Sequence, residues 1–402
     1  MLNHATADVE LTTFQGKDLI QNFIFFQSPL PTLIKMKKIK IIELASVLAG
    51  PSVGQFFAEL GAEVIKVESP KTGGDVTRSW LFKGEKRNGT VSAYFTSVNW
   101  GKKSLSIDLS NKEERAIVYK LVKNADIVIA SYKSGDAEKL GVDYETLKAL
   151  NPQLIYGQIT GYGLDNPKVG YDAVIQAESG FMSINGEQGA NPLKMPVALI
   201  DVLAGHQLKE ALLVALIERM ENGHGKFVQV ALIDAAISAL VNQGANWLVG
   251  QNEPKSMGNL HPNIAPYGEL FSTKDGRQLL LAVGNDKQFK NLCRILEISD
   301  IAQFSTNQER VVNREELNEV LSGKIELWAS EELLETLVDE QVPAGLVTTV
   351  KEALDQRESH WFLKTDGLTG LRSFVASGFD RLSLSPPPQL GQHNQEIIDA
   401  LD

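Results

Sequence analysis

Ile39-Lys-Ile-Ile-Glu-Leu-Ala-Ser-Val-Leu-Ala-Gly-Pro-Ser-Val-Gly-Gln-Phe-Phe-Ala-Glu-Leu-Gly-Ala-Glu-Val-Ile-Lys-Val67 decides how the rest of the chain is read. Two short runs rich in Ile and Val flank a segment whose apolar residues Val53, Phe56, Phe57 and Leu60 recur at helical spacing. Pro51 suits the first turn of a helix, where its missing N–H costs nothing, and Gly61 suits the stop after Leu60. The pattern predicts a strand at 39–44, a helix near 51–60 and a strand at 63–67. Outward from this unit the alternation continues: strand 104–108, helix 111–124, strand 126–130, helix 143–150, strand 153–158. Strands alternating with helices imply a parallel sheet covered by helices, so the fold class is α/β, with a large doubly wound, Rossmann-like domain.

Further along, Pro196-Val-Ala-Leu-Ile-Asp201 reads as a buried strand that delivers a carboxylate to a long helix running from Leu203 to Met220. A helix N-terminus presents unpaired N–H groups and partial positive charge, which favours an ionised acid ready to attack an electrophile. The same Asp also reads as an ordinary N-cap contributing about 1 kcal/mol, and the segment alone leaves both readings open. Next come the turn Gly223-His-Gly225, a strand at 227–231 and a helix at 232–248. The polar stretch 251–266, with Pro254, Gly258, Pro262 and Pro266, reads as a linker or functional loop. Strands at 270–273 and 278–283 around Lys274-Asp-Gly276, followed by helices near 286–296, 312–322 and 330–339, predict a smaller α+β domain. Pro386-Pro-Pro388 excludes regular structure, and a short helix at 394–401 ends the chain. The domain boundaries expected are 36–225 with 352–402 for the large unit and 226–351 for linker helices and the small unit. Met36-Lys-Lys-Ile reads as a second start, making residues 1–35 a disordered extension or a misplaced start.

The 402 residues, 43% hydrophobic, are enough for a large core, and the net charge of −11 argues against general affinity for nucleic acid or anionic membrane. No apolar stretch is long enough to cross a bilayer, and Phe23-Ile-Phe-Phe26 lacks the flanks of a signal peptide. The single cysteine, Cys293, excludes an internal disulfide, fits a reducing cytoplasm and reads as a small core residue. No H-E-x-x-H or C-x-x-C occurs, so no metal site is expected. The first turn lacks the G-x-G-x-x-G of a dinucleotide site, and Gly225-Lys226 has no P-loop partner glycine. Gly50-Pro-Ser52-Val-Gly54 does match G-x-S-x-G. Yet only one strand precedes it and no H-G-G-G run exists, so Ser52 reads as a helix residue rather than a nucleophile elbow.

Several segments, in order, carry a resemblance: Leu48-Ala-Gly-Pro51, Leu60-Gly-Ala-Glu-Val-Ile-Lys-Val-Glu68, Gly74-Asp-Val-Thr-Arg78, Asn99-Trp-Gly-Lys-Lys-Ser104 with Ile107-Asp-Leu109, Gly161-Tyr-Gly163, Gly170-Tyr-Asp172, the Asp201 segment, and Gly258-Asn-Leu-His-Pro262. From about Ile39 to the C-terminus the chain resembles the class III CoA-transferase family, which includes formyl-CoA transferase, carnitine CoA-transferase and α-methylacyl-CoA racemase. The resemblance implies that Asp201 attacks an acyl-CoA carbonyl and carries CoA as an aspartyl thioester, with Asp172 and Tyr171 beside it. The substrates implied are coenzyme A thioesters and a carboxylic acid acceptor, with no tightly bound cofactor. CoA contacts carry over to Leu48 and Ala49, to Ile107, Asp108, Leu109 and Ser110, to Ser131, Tyr132 and Lys133, and to Lys139 and Lys168. Asn259, Leu260 and His261 carry over as a substrate loop that closes over the site. Ser69, Ser131 and Lys139 replace an arginine, an asparagine and an arginine of formyl-CoA transferase, so a bidentate phosphate grip at 139 becomes a point charge. The racemase branch has a histidine where this chain has Tyr171. A phenol with a pKa near 10 exchanges protons poorly at neutral pH, so transferase is the expected activity and racemase the alternative, with a non-catalytic CoA-binding protein a third reading. The resemblance further implies an interlocked homodimer, with 226–260 and 340–355 as connecting segments.

Overall fold

The computed structural model of the chain describes residues 39–401 apart from Arg87 and Asp366. The expectation for residues 1–35 lies outside the described residues. Six parallel strands form the main sheet: β1 (Lys40–Leu44), β2 (Glu63–Glu68), β3 (Lys102–Ser106), β4 (Ile127–Ala130), β5 (Ile155–Thr160) and β6 (Phe227–Ala231), in the order β3-β2-β1-β4-β5-β6. That order is the doubly wound one expected, with its direction of winding reversing between β1 and β4. Ile41 lies opposite Val64 on one side and Ile127 on the other, in parallel register.

Strand alternation sorts the side chains between two faces. Ile42, Leu44, Ile65, Val67 and Leu105 join Val118, Val128 and Tyr156 in one core, beneath helices Lys112–Val122 and Tyr144–Leu150. The opposite face is covered by helix Ala49–Glu59, all of whose residues are buried, and by the 24-residue helix Leu199–Asn222. These two helices approach closely because Gly205 has no side chain. A Cβ there would lie 2.5 Å from Ser52 Oγ and 3.1 Å from the Ala49 carbonyl oxygen. Gly50 and Gly54 have similar reasons, since Cβ atoms would lie 2.4 Å from Ala45 Cβ and 1.9 Å from Glu43 Oε2. The G-x-S-x-G match is therefore a packing motif, with Ser52 Oγ donating to the Ala49 carbonyl at 2.8 Å.

A smaller antiparallel sheet, β7 (Tyr267–Ser272), β8 (Gln278–Ala282) and β9 (Ala344–Leu346), packs with helices Asp286–Ile295, Arg314–Ile325 and Ser330–Asp339 around Phe271, Leu279, Phe289 and Leu321. Cys293 is buried in this second core, as expected. Near the C-terminus, Asn394 Oδ1 accepts from Ser106 N at 2.8 Å and His393 Nδ1 from Ser104 N at 3.1 Å, so this segment covers the β3 edge of the main sheet.

Three differences from the sequence reading have physical causes. The expected strand at 104–108 starts at Lys102, because two charged residues that read as a loop lie inside β3, where Glu43 neutralises Lys102. The expected helix at 232–248 divides into Leu232–Ser238 and Val241–Leu248 at Val241, whose φ is +39°. The expected strand before Asp201 does not form. Leu199 and Ile200 already belong to the long helix, since β6 takes the place beside β5 and a four-residue apolar run fits a buried helix start equally well.

Candidate active site

Loops leaving the carboxyl ends of β1, β4 and β5 surround a cavity of about 220 Å³, at the point where the strand order reverses. Open α/β sheets form their ligand crevice at this place, because adjacent loops there diverge to opposite faces. Asp201 reaches the cavity from the third residue of helix Leu199–Asn222 and is 6% exposed. It is not the N-cap. That position belongs to Ala198, and the first turn is instead held by Asp172, whose Oδ1 accepts from Ile200 N at 2.7 Å. Asp172 Oδ2 accepts from Gln176 Nε2 at 2.7 Å, while Gln176 Oε1 accepts from Met195 N at 2.8 Å. Asp172 thus begins helix Asp172–Glu178 and fixes the approach to the Asp201 helix.

Burial, and then the carboxylate of Asp172, push the Asp201 carboxyl up to about 7. The expectation that the helix terminus would hold it ionised is therefore corrected. A helix-terminus effect of about 0.3–1 kcal/mol is smaller than the desolvation of a group that no described side chain hydrogen-bonds. At neutral pH the group divides between acid and anion.

The glycines flagged in the sequence shape the opposite wall. Gly161 and Gly170 touch backbone to backbone, so a Cβ on Gly161 would lie 2.7 Å from Gly170 N. Tyr171 follows, lining the cavity and half exposed. Among the residues named from sequence, Ala49, Ser131, Tyr132, Lys133, Lys168, Tyr171 and Asp201 line this one cavity. Lys168 is ion-paired with Glu178 and lies 4.6 Å from the Tyr162 ring centroid.

Other named residues lie elsewhere. Leu48 is the N-cap position of helix Ala49–Glu59, beside the lining residues Val47 and Ala49 but not itself lining. Ile107, Asp108, Leu109 and Ser110 follow β3, where Lys71 pairs with Asp108 at 2.7 Å and donates to Ser110 Oγ at 2.9 Å. This holds the partly buried Asp108 carboxyl down at about 2, chiefly through Lys71. Lys139 pairs with Asp136 at 3.0 Å on the surface. Asn259 and Leu260 line a separate cavity of about 380 Å³ with Glu269 and Asn318, and His261 stacks edge-on against Tyr267 at 5.3 Å. Arg314 holds that loop, donating to the His261 and Ile264 carbonyls at 2.6 and 2.8 Å.

Sequence reasoning missed what lies under the β1 turn. Glu43, Lys66 and Lys102 project from three adjacent strands onto the face covered by helix Ala49–Glu59, and all three are essentially unexposed. Lys66 Nζ lies 3.0 Å from Glu43 and 2.9 Å from Asp75, and Lys102 Nζ lies 2.8 Å from Glu43. Burial lowers Lys66, but Asp75, Glu43 and Glu68 more than reverse that and raise it. Burial pulls Lys102 down to about 8, against the pull of Glu43. Two carboxylates thus face two ammonium groups. The signal was available: a charged residue inside a strand covered on both faces requires a buried partner.

Residues 36–394 match CoA-transferase family III. The chain is 39% identical to a succinate–glutarate CoA-transferase of Agrobacterium fabrum, over 90% of this chain and 95% of the relative. It is 34% identical to the human succinyl-CoA:glutarate CoA-transferase, over 92% and 87%. A crystal structure of a CAIB/BAIF family protein from Brucella suis, 39% identical, superposes with a TM-score of 0.79 over 91% of this chain and 99% of that one. With the family match running over residues 36–394 and the likeness covering about nine tenths of the chain, this protein is a transferase belonging to CoA-transferase family III.

Proposed function

We propose that the enzyme moves CoA from an acyl-CoA thioester to a carboxylic acid through an aspartyl-CoA thioester on Asp201. The observation that carries this reading is a buried carboxylate, without a hydrogen-bonding side chain among the described residues, at the foot of the crevice between β1 and β4. One Asp201 oxygen attacks the thioester carbonyl; the C–S bond breaks, giving a mixed anhydride and CoA thiolate. The thiolate then attacks the Asp201 carbonyl carbon, forming the aspartyl thioester and expelling the donor carboxylate. The acceptor carboxylate runs both steps in reverse, so no proton or water is consumed. The start of helix Ala49–Glu59, which has no side-chain cap, offers the N–H groups of Ala49 and Gly50 to the developing oxyanion. Lys133 and Lys168 supply local positive charge for CoA phosphates in an acidic protein. Asn259, Leu260 and His261 contact the acceptor when the loop closes.

The names of the relatives point to short dicarboxylic acids, so succinyl-CoA with glutarate is the first pair to assay. A racemase would need a histidine facing the α-carbon, and none is among the residues lining this cavity. Val241, Leu248 and Val249 are 73%, 76% and 84% exposed on the 226–260 segment, which suits burial against a second copy in a cytoplasmic homodimer.

The test is to incubate the enzyme with succinyl-CoA, digest it, and search for a CoA adduct by mass. An adduct on the Asp201 peptide, exchanged away by added glutarate, is expected; acyl exchange with no adduct there overturns the covalent route. The pH profile gives a second check. Because Asp201 must be ionised to attack and its folded pKa is raised to about 7, kcat/KM for acyl-CoA should rise with pH through about 7 and then level. Asp172→Asn removes the like charge, so that limb should move to lower pH; an unmoved limb means that another group titrates.

A further inference from the structure

The turn joining β1 to helix Ala49–Glu59 passes through a left-handed residue that is not glycine. Val47 has φ +71°, a conformation that a β-branched side chain rarely adopts and that persists only where the surroundings impose it. Three clamps impose it here. Lys66 Nζ donates to the Ala45 carbonyl at 2.7 Å, Ser46 N donates to Ser131 Oγ at 3.0 Å, and Val47 N donates to both Asp75 oxygens at 3.3 and 3.2 Å.

Asp75 is itself immobilised. It is 5% exposed, accepts from Thr77 N at 3.0 Å and Thr77 Oγ1 at 2.8 Å, and pairs with Lys66 at 2.9 Å, while its own N–H donates to Glu68 Oε1 at 3.0 Å. Arg78 grips that same Glu68 through both carboxylate oxygens, at 2.7 Å each. A buried ion cluster is a weak source of stability relative to apolar packing, because desolvation offsets the attraction. This one ends on a strained backbone bond at the wall of the Asp201 cavity, which is where fixed geometry matters.

We propose that Asp75 is a positioning residue, holding Val47 left-handed and so aiming the first-turn N–H groups of Ala49 and Gly50 at the carbonyl undergoing attack beside Asp201. The inference rests on the transferase site proposed above. Were Val47 to relax to negative φ, the peptide planes on either side would rotate and the helix start would shift with them. Hydrogen bonds aimed where charge develops act on the transition state more than on bound substrate.

The experiment compares Asp75→Asn, Val47→Gly and the double variant in full-length protein, using succinyl-CoA and glutarate. Asp75→Asn should lower kcat by about 10–100-fold with a much smaller change in KM, the signature of a lost transition-state interaction. Glycine adopts φ near +71° without strain, so the double variant should recover at least about tenfold over Asp75→Asn. A merely structural aspartate would lower the melting temperature without selective rescue from position 47. Crystal structures supply a readout independent of Asp201: φ of Val47 should be positive in the wild type and negative in Asp75→Asn. If the clamp releases as described but Asp201→Asn stays active, the catalytic reading fails and the positional one stands. Asp75→Asn with kcat within twofold of wild type, a double variant no better than the single, or an unmoved Val47 overturns the proposal. Should Asp75→Asn alone fail to fold, recovery of folded protein in the double variant supports it, and an unfolded double variant overturns it.

Discussion

Asp201→Asn should reduce acyl exchange by about 10³-fold or more while making the folded protein more stable at pH 8. On the proposed route, removing the nucleophile abolishes acyl exchange, whereas CoA binding, proposed for the walls of the cavity, should persist in calorimetry. The gain in stability follows from linkage. The folded carboxyl titrates at about 7 against about 3.9 in an unfolded chain, so between those values the folded state takes up a proton. Its contribution is fully favourable below about pH 4 and is lost as pH rises through 7. Above pH 7 the buried anion therefore costs stability on the order of 2–4 kcal/mol, and an amide of the same shape avoids this. The melting temperature of Asp201→Asn should exceed wild type at pH 8, with the difference fading toward pH 4. Equal melting temperatures at pH 8 would mean that the carboxylate is not under strain from its surroundings.

Glu43→Gln should destabilise the protein by about 3–5 kcal/mol in urea unfolding at pH 7, the largest stability effect expected of any single isosteric change here. Glu43 is shared by Lys66 and Lys102, each completely enclosed, and the amide leaves Lys66 paired with Asp75 but Lys102 with only the Pro51 carbonyl and Asn99 Oδ1 as acceptors. Adding Lys102→Met should regain part of the loss, because removing both members of a buried pair is milder than removing one. A loss below about 1 kcal/mol, with unchanged m-value, would mean that water or rearrangement replaces the missing charge.

Why much of this fold was legible follows from particular residues. Ile41, Ile42, Val64, Ile127 and Val128 are apolar in runs because both faces of a parallel strand are covered, and runs of that kind show in sequence without partners being known. Pro51 and Gly61 mark the helix between them for reasons that are local. Asp201 stood out as a candidate through its place at a helix start and the family likeness, but its surroundings were not legible. The apolar run before it forms helix rather than strand, its cap is supplied by Asp172 from 29 residues earlier in the chain, and burial rather than the helix terminus sets its acidity.

The sequence by itself determined the alternating elements and the parallel sheet, because each depends on neighbours within a turn or a strand, and it offered Asp201 as a candidate nucleophile only through the family resemblance. Only the tertiary structure decided that Glu43, Lys66, Asp75 and Lys102 neutralise one another, that Val47 is held left-handed, and that Ser52 packs against Gly205. Those facts are set by how far strands and helices distant in sequence approach one another, and charge or strain can be buried only where that approach supplies the partner.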